Sequence, residues 1–424
     1  MTSQAELREV TPFPHAAEAV LLRLRSAVAR VVQALPGQPP HGATTLADAM
    51  NLQFGLARKV WRFLDDEDVF VGGRHVPGKP GFKLFFDAAR AQQVPPDLIE
   101  EAQIASEAFL DVVQQQAGDR NTFDIMLATH SQTNDPRAEL EHRRQAFRAN
   151  GYILGVHCAA IFCRYILAPT ESDPARLDVV GNMGFIDLKR LRPSVPWRVS
   201  RGSRLGQKGD VHAVRNREPL FPIPSEIDSR RFADLPLMVD FCSRPLPDIE
   251  RIPGRTELSG YQFTASGPAG VPGTLTCVLG EVFRGGYERF TQSGEPAEPS
   301  FRMPLRTPAE LAVFELLVHR SMLDGPHKPS LEVFSDLFDG GPIASKLASD
   351  RLFTHERPVA YDTVSSAGEC RSVPRYNDLT ERTFDRLDWD PDDFGLCRME
   401  MSYPPVPAAM FFLLNDELGE QFGT

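Results

Sequence analysis

Four side chains in the segment TLADAMNLQFGLARKVWRFL, residues 45–64, carry the chemistry needed to read nucleic acid: Gln53, Arg58, Lys59 and Arg62. Guanidinium and ammonium groups neutralise phosphates, and a glutamine amide offers a donor and an acceptor to a base edge. On one helix, turning Leu56, Ala57, Val60 and Leu64 inward leaves Gln53, Phe54, Arg58, Lys59 and Arg62 facing outward. A second basic concentration lies between Lys189 and Arg217, where nine basic residues stand against one acidic residue, Asp210. Its core, RVSRGSRLGQKGD, is interrupted by glycine and reads as a loop. Arg198, Arg201, Arg204 and Lys208 are its candidate anion ligands. Pairing of these cations with the acidic remainder of the chain is the blander explanation.

The elements that must position the first set are two short helices. The first spans Thr45–Met50, with Leu46, Ala49 and Met50 inward, and the second spans about Gln53–Leu64. Asn51 takes the turn between them, since asparagine tolerates the left-handed conformation better than most residues, and Leu52 anchors the turn. This segment resembles the helix-turn-helix of bacterial transcriptional regulators over about twenty residues. It departs from that pattern at Asn51, where glycine is usual, at the large Phe54, and in the acidic DDED run at 65–68. The resemblance implies a DNA-binding, non-enzymatic regulator. It also implies a two-fold homo-oligomer, because one such unit reads only a half-site. The same residues fit a helical hairpin with a solvated charged face. On that reading the chain is a structural or self-assembling interaction protein that binds no nucleic acid.

Other constellations offer less. The chain has no GxSxG, Walker, HExxH or GxGxxG motif, and nothing in it argues for a catalytic residue, a metal or a cofactor. His157, Cys158 and Cys163 look like a metal set. On a helix, however, five positions turn the two thiols about 140° apart, so core packing is the better account. DWDPDDFG at 388–395 begins like a calcium loop, but its glycine, Gly395, comes late and Met399 stands where a bidentate glutamate belongs. It reads as a turn with helix-capping aspartates. His319, His327 and His355 with Glu356 have no spacing that joins them.

Around these residues the pattern is helical up to Ala168. Val20, Leu21, Leu24, Ala27, Val28, Val31 and Leu35 form one stripe, closed by Pro36 and Gly37. Helices are expected at about 80–93, 96–117 and 120–130, then a long one from near Pro136 to Ala168 whose stripe includes Leu140, Phe147, Leu154, Cys158, Ile161, Phe162 and Tyr165. After Pro169, short apolar runs such as LDVVG, GFIDL, LMVDFCS and TLTCVLGEVF, bounded by turn residues, predict strands. ELAVFELLVH at 310–319 fits strand or helix, and LEVFSDL at 331–337 as a pairing partner favours strand. A short helix is expected at 376–387.

The fold class is therefore α+β. An all-helical N-terminal half with a helix-turn-helix-like unit (1–78) and a scaffold or dimerisation region (79–168) precedes a β-rich half (169–424). That half would be a sandwich or partly closed barrel binding a ligand or partner.

A net charge of −11 requires any DNA contact to rest on a local basic surface. The six scattered cysteines include no CxxC. The most apolar window, 152–168, sits at the lower limit for a membrane span and contains His157 and Arg164, so it reads as buried helix. With no signal-like N-terminus, the expected place is a reducing cytoplasm, away from membranes.

Overall fold

In a computed structural model the chain divides into two units, Met1–Glu139 and Leu140–Thr424. The structure describes residues 12–130, 136–200, 217–227, 232, 235–252, 260–289, 300–323, 330–335, 350–352 and 354–413. The division falls after Glu139, whereas boundaries at 78 and 168 were expected.

The first unit is helical. Its elements are α1 (Phe13–Gln33), α2 (Ala43–Met50), α3 (Phe54–Asp65), α4 (Val69–Gly73), α5 (Lys79–Ala91), α6 (Pro96–Gln116) and α7 (Arg120–His130). The expected stripe of α1 is buried in full, against a core that also holds Phe63, Phe85, Phe109 and Phe123. Burying one such phenylalanine contributes about 2–3 kcal/mol. Proline at the start of α6 and Gly118, at φ +78°, beyond its end bound that helix as expected.

The acidic run after α3 is put to use in this core. Asp68 caps α4 by accepting from the Phe70 and Val71 amides, and the Asp66 carbonyl accepts from Arg25.

The second unit begins with α8 (Pro136–Leu154 by its helical bounds), and here one expectation fails. The helix expected to run to Ala168 stops at Leu154. Gly155 takes φ +69°, which glycine alone adopts without cost, and residues 156–170 form a strand, β1 (Val156–Thr170). The apolar window at 152–168 is therefore mostly a strand covered on both faces, not the buried end of a helix. The expected α8 stripe is not buried either: Leu140 and Leu154 are both exposed.

Twelve further strands follow among the described residues: β2 (Asp173–Arg190), β3 (Trp197–Ser200), β4 (Arg217–Pro219), β5 (Ile249–Ile252), β6 (Gly260–Phe263), β7 (Leu275–Glu288), β8 (Ser300–Leu305), β9 (Ala309–His319), β10 (Ser330–Ser335), β11 (Val359–Tyr361), β12 (Phe394–Ser402) and β13 (Ala408–Leu413). A seven-stranded sheet has the order β11-β12-β9-β1-β2-β7-β4, and two three-stranded sheets have the orders β10-β13-β8 and β3-β6-β5. The unit is β-rich, as expected, and its sheets are not closed into a barrel.

Residues 310–319 are a strand, but β9 pairs in parallel with β1 and antiparallel with β12, while β10 pairs with β13. The expected pairing of β9 with β10 is wrong. LMVDFCS also departs from expectation, forming a bridge and a short 3-10 turn at Val239–Phe241.

The two small sheets pack on one face of the large sheet. The other face is covered by α9 (Tyr376–Leu387), as Phe162, Ile166, Val313 and Leu317 meet Tyr376, Leu379 and Phe384.

Candidate functional site

The expected reading surface lies on α2 and α3. Asn51 joins them in the left-handed conformation at φ 51°, and the Leu52 amide donates back to the Ala47 carbonyl over 2.9 Å. Leu46 and Met50 of α2 and Ala57 and Val60 of α3 are buried, as expected. Phe63 rather than Leu64 completes the inward face; Leu64 and Ala49 are half-buried.

Gln53, Arg58, Lys59 and Arg62 are all exposed, and the three cations form no ion pair among the described residues. Arg58 and Arg62 stand one turn apart on the face that begins at Phe54, which is 55% exposed. Gln53 is the N-cap of α3 with its side chain unbonded to the helix. A helix of this length extends about 18 Å, enough to lie along a groove about 12 Å wide. Lys59 also sits within electrostatic range of Asp124, whose carboxyl is raised above its ordinary range by burial, against the opposing pull of Arg120, Arg74 and Lys59.

The second basic run is only partly described. Arg198 is exposed on β3, opposite Gln262 of β6. Arg201, Arg204 and Lys208 lie outside the described residues. Two other cations of that run hold the backbone. Arg190 donates to the carbonyls of Pro193, Val195 and Ser266, and Arg192 to those of Tyr152 and Ile153.

A polar cluster that the sequence did not suggest sits under α9. Arg164 of β1, Glu315 of β9 and Arg398 of β12 are register partners across three neighbouring strands. Glu315 accepts from Arg164 Nε at 2.8 Å, Arg398 Nε at 2.7 Å and the Tyr376 hydroxyl at 2.9 Å. Tyr376 in turn accepts from Arg398 Nη2 at 2.7 Å, and Arg164 Nη1 donates to Thr380 Oγ1. Both guanidinium groups also lie over the Tyr376 ring.

Burial works against the charge on Arg164 and Arg398, but Tyr376 and Glu315 more than offset it, and both pKa values are raised. Burial raises the Tyr376 hydroxyl as well. The two guanidinium groups and the hydroxyl are thus held protonated. The effect of the cluster is to clamp α9 onto the sheet. One signal in the sequence could have found it: a lone arginine inside an apolar run needs a buried partner.

The remaining constellations resolve into packing. Cys158 and Cys163 are buried on the strand β1, not on a helix, and burial raises both thiols, Cys163 to about 12. Asp388 ends α9 in the left-handed conformation, and Asp390 caps the turn at Pro391–Asp393. His319 bonds Ser321, Glu356 pairs with Arg143, and His327 lies outside the described residues. Among the described residues no three His, Cys, Asp or Glu side chains are grouped to hold a metal ion, and no helix is long and apolar enough to cross a membrane.

Compared with protein-family models, curated proteins and solved structures, the chain finds no match. No family is shown.

Proposed function

We propose that the chain is a non-enzymatic, DNA-binding regulator-like protein that reads DNA through α3 and uses its β-rich unit for sensing or interaction. The observation that carries the reading is the outward face of α3. There Arg58, Lys59 and Arg62 stand exposed without ion pairs among the described residues, on a helix set at a tight, left-handed joint to α2. Solvated cations on a rigid helix neutralise phosphates at no cost in broken ion pairs. Gln53, at the N-terminal end of that face, reads a base edge. A two-fold oligomer supplies the second half-site, and the place of action is the cytoplasm. Arg198, Arg201, Arg204 and Lys208 add a second anion contact.

The test is fluorescence anisotropy with random-sequence duplex DNA at low and moderate salt, wild type against Arg58→Ala/Lys59→Ala/Arg62→Ala. The expected outcome is salt-dependent binding whose log–log slope falls by about 3 in the variant, one per lost phosphate contact. Absence of binding by folded wild type at low salt removes the proposal.

A second reading, self-assembly without nucleic acid, draws on the β-rich unit. Arg192 holds the carbonyls of Tyr152 and Ile153, whose side chains are 77% and 63% exposed, and the exposed Leu191 donates its amide to the nearby Gly155 carbonyl. Exposed apolar patches of this kind mark interaction surfaces. Concentration-dependent sedimentation of the protein free of DNA, abolished by Ile153→Asp, is the expected outcome on this reading.

A further inference from the structure

All six cysteines are thiols, and two of them, Cys242 and Cys277, lie on segments joined by hydrogen bonds. Cys242 follows the turn at Val239–Phe241, and Cys277 lies near the start of β7. The next residue, Ser243, donates its amide to the Thr276 carbonyl at 2.9 Å, while the Thr276 amide returns a bond to Ser243 Oγ at 3.1 Å. The bonded pair Ser243 and Thr276 brings their neighbours Cys242 and Cys277 side by side, and a disulfide bridges Cα atoms about 4.4–6.8 Å apart.

The two environments are unequal. Cys277 is wholly buried on the sheet, and Cys242 is half-buried. The Cys242 sulfur accepts the Val278 amide at 3.4 Å. Hydrogen bonding from the Cys277 thiol, and then from that amide with Arg244 nearby, lowers the Cys242 pKa; the same contact and burial raise Cys277. Cys242, the less buried of the two, is thus placed to react first, and Cys277 to resolve it. By contrast, Cys158, Cys163, Cys370 and Cys397 are all raised, with burial the leading cause.

We propose that Cys242 and Cys277 form a redox-modification site, in which hydrogen peroxide converts the dithiol to an intrachain disulfide. The Cys242 thiolate attacks one peroxide oxygen, the O–O bond breaks, and Cys242 becomes a sulfenic acid as hydroxide leaves and is protonated to water. The Cys277 sulfur then attacks the Cys242 sulfur, the S–O bond breaks, and the hydroxyl leaves with the Cys277 proton as a second water. Two thiols are oxidised by two electrons, and one peroxide is reduced to two waters. The crosslink pins to β7 the segment whose Asp240 receives Arg375 and Arg382 of α9, so the modification acts on the packing of that helix.

The test treats the full chain with hydrogen peroxide, then alkylates it under denaturing conditions and measures intact mass and crosslinked peptides. The expected result is loss of two of the six alkylatable thiols, a single crosslink joining Cys242 to Cys277, and full reversal by dithiothreitol. Cys242→Ser, at the half-buried position, keeps its remaining five thiols. Cys277→Ala, checked for native circular dichroism, accumulates a dimedone-reactive sulfenic acid on Cys242. Six alkylatable thiols after oxidation, a crosslink between another pair, oxidation of Cys242 that stops short of a disulfide, or loss of two thiols in Cys242→Ser overturns the proposal.

Discussion

Arg164 and Glu315, 151 positions apart in the chain, meet across the parallel β1–β9 pair at 2.8 Å with neither side chain accessible to solvent. Each half of this pair would be costly alone, and Arg164 already has one nitrogen, Nη2, with no hydrogen-bond partner among the described residues. A buried carboxylate that serves two guanidiniums and a hydroxyl holds more of the structure than either arginine does.

Glu315→Gln is therefore expected to destabilise the β-rich unit by about 3–5 kcal/mol, because two buried cations lose their counter-charge. Arg164→Met is expected to cost less, since Glu315 keeps Arg398 and Tyr376. Urea unfolding in a Trp61→Phe background, where only Trp197 and Trp389 report, measures both. Equal losses would contradict this ranking.

His157 gives the β-rich unit an acid-sensitive edge. Its pKa lies below the usual 6.5, through burial first and the nearby charge of Lys189 second. As pH falls, the unfolded chain takes up this proton before the folded chain does. The stabilisation is thus present above 6.5 and is lost as pH falls through the folded value. An NMR titration should place the His157 midpoint below 6.5, and His157→Gln should flatten the dependence of the urea midpoint on pH in that range.

At the α2–α3 joint, Asn51→Gly is expected to stabilise the helical unit slightly, by up to about 1 kcal/mol, because φ 51° is free of strain for glycine. Asn51→Val should destabilise it by about 1–2 kcal/mol. Thermal unfolding of the two variants separates these signs. On the proposed function, DNA affinity would follow the same order.

Gly73 lies where α4 meets α1 and α7. A Cβ there would come within 2.7 Å of Leu21 Cδ1 and 3.0 Å of Leu127 Cδ1, both in the core. Gly73→Ala should cost about 1–3 kcal/mol by overpacking. The control Gly55→Ala, whose added methyl meets open space, should be neutral or stabilising.

The helical unit was legible because its elements each bury one stripe. The α1 residues from Val20 to Leu35 repeat at helical spacing, and proline and glycine mark the ends. The strand β1 was not legible, because it is buried on both faces. Its run from Val156 to Ala168 is almost continuously apolar, and periodicity cannot separate such a strand from a buried helix. The one local cue was Gly155, a glycine placed where a helix ends. Strand pairing escaped for another reason. LEVFSDL follows ELAVFELLVH closely and looked like its partner, yet β9 lies between β1 and β12 and has no free edge for it. The exposed face of α3 followed from the same stripe logic as α1. The Arg164–Glu315–Arg398–Tyr376 cluster did not, because its members are brought together only by the sheet order.

That sheet order also sets a timetable for synthesis. A ribosome releasing the chain from its N-terminal end delivers every helix of the first unit before β1 emerges, and those contacts are mostly local. The strand β1 can pair with β2 at once, but its other edge waits for β9, 151 positions later at the Arg164–Glu315 pair. Throughout that interval a nascent chain presents an apolar strand edge carrying an unneutralised arginine. A charge on an exposed strand disfavours pairing with unwanted strands, and Arg164 keeps its charge unmatched until Glu315 is made.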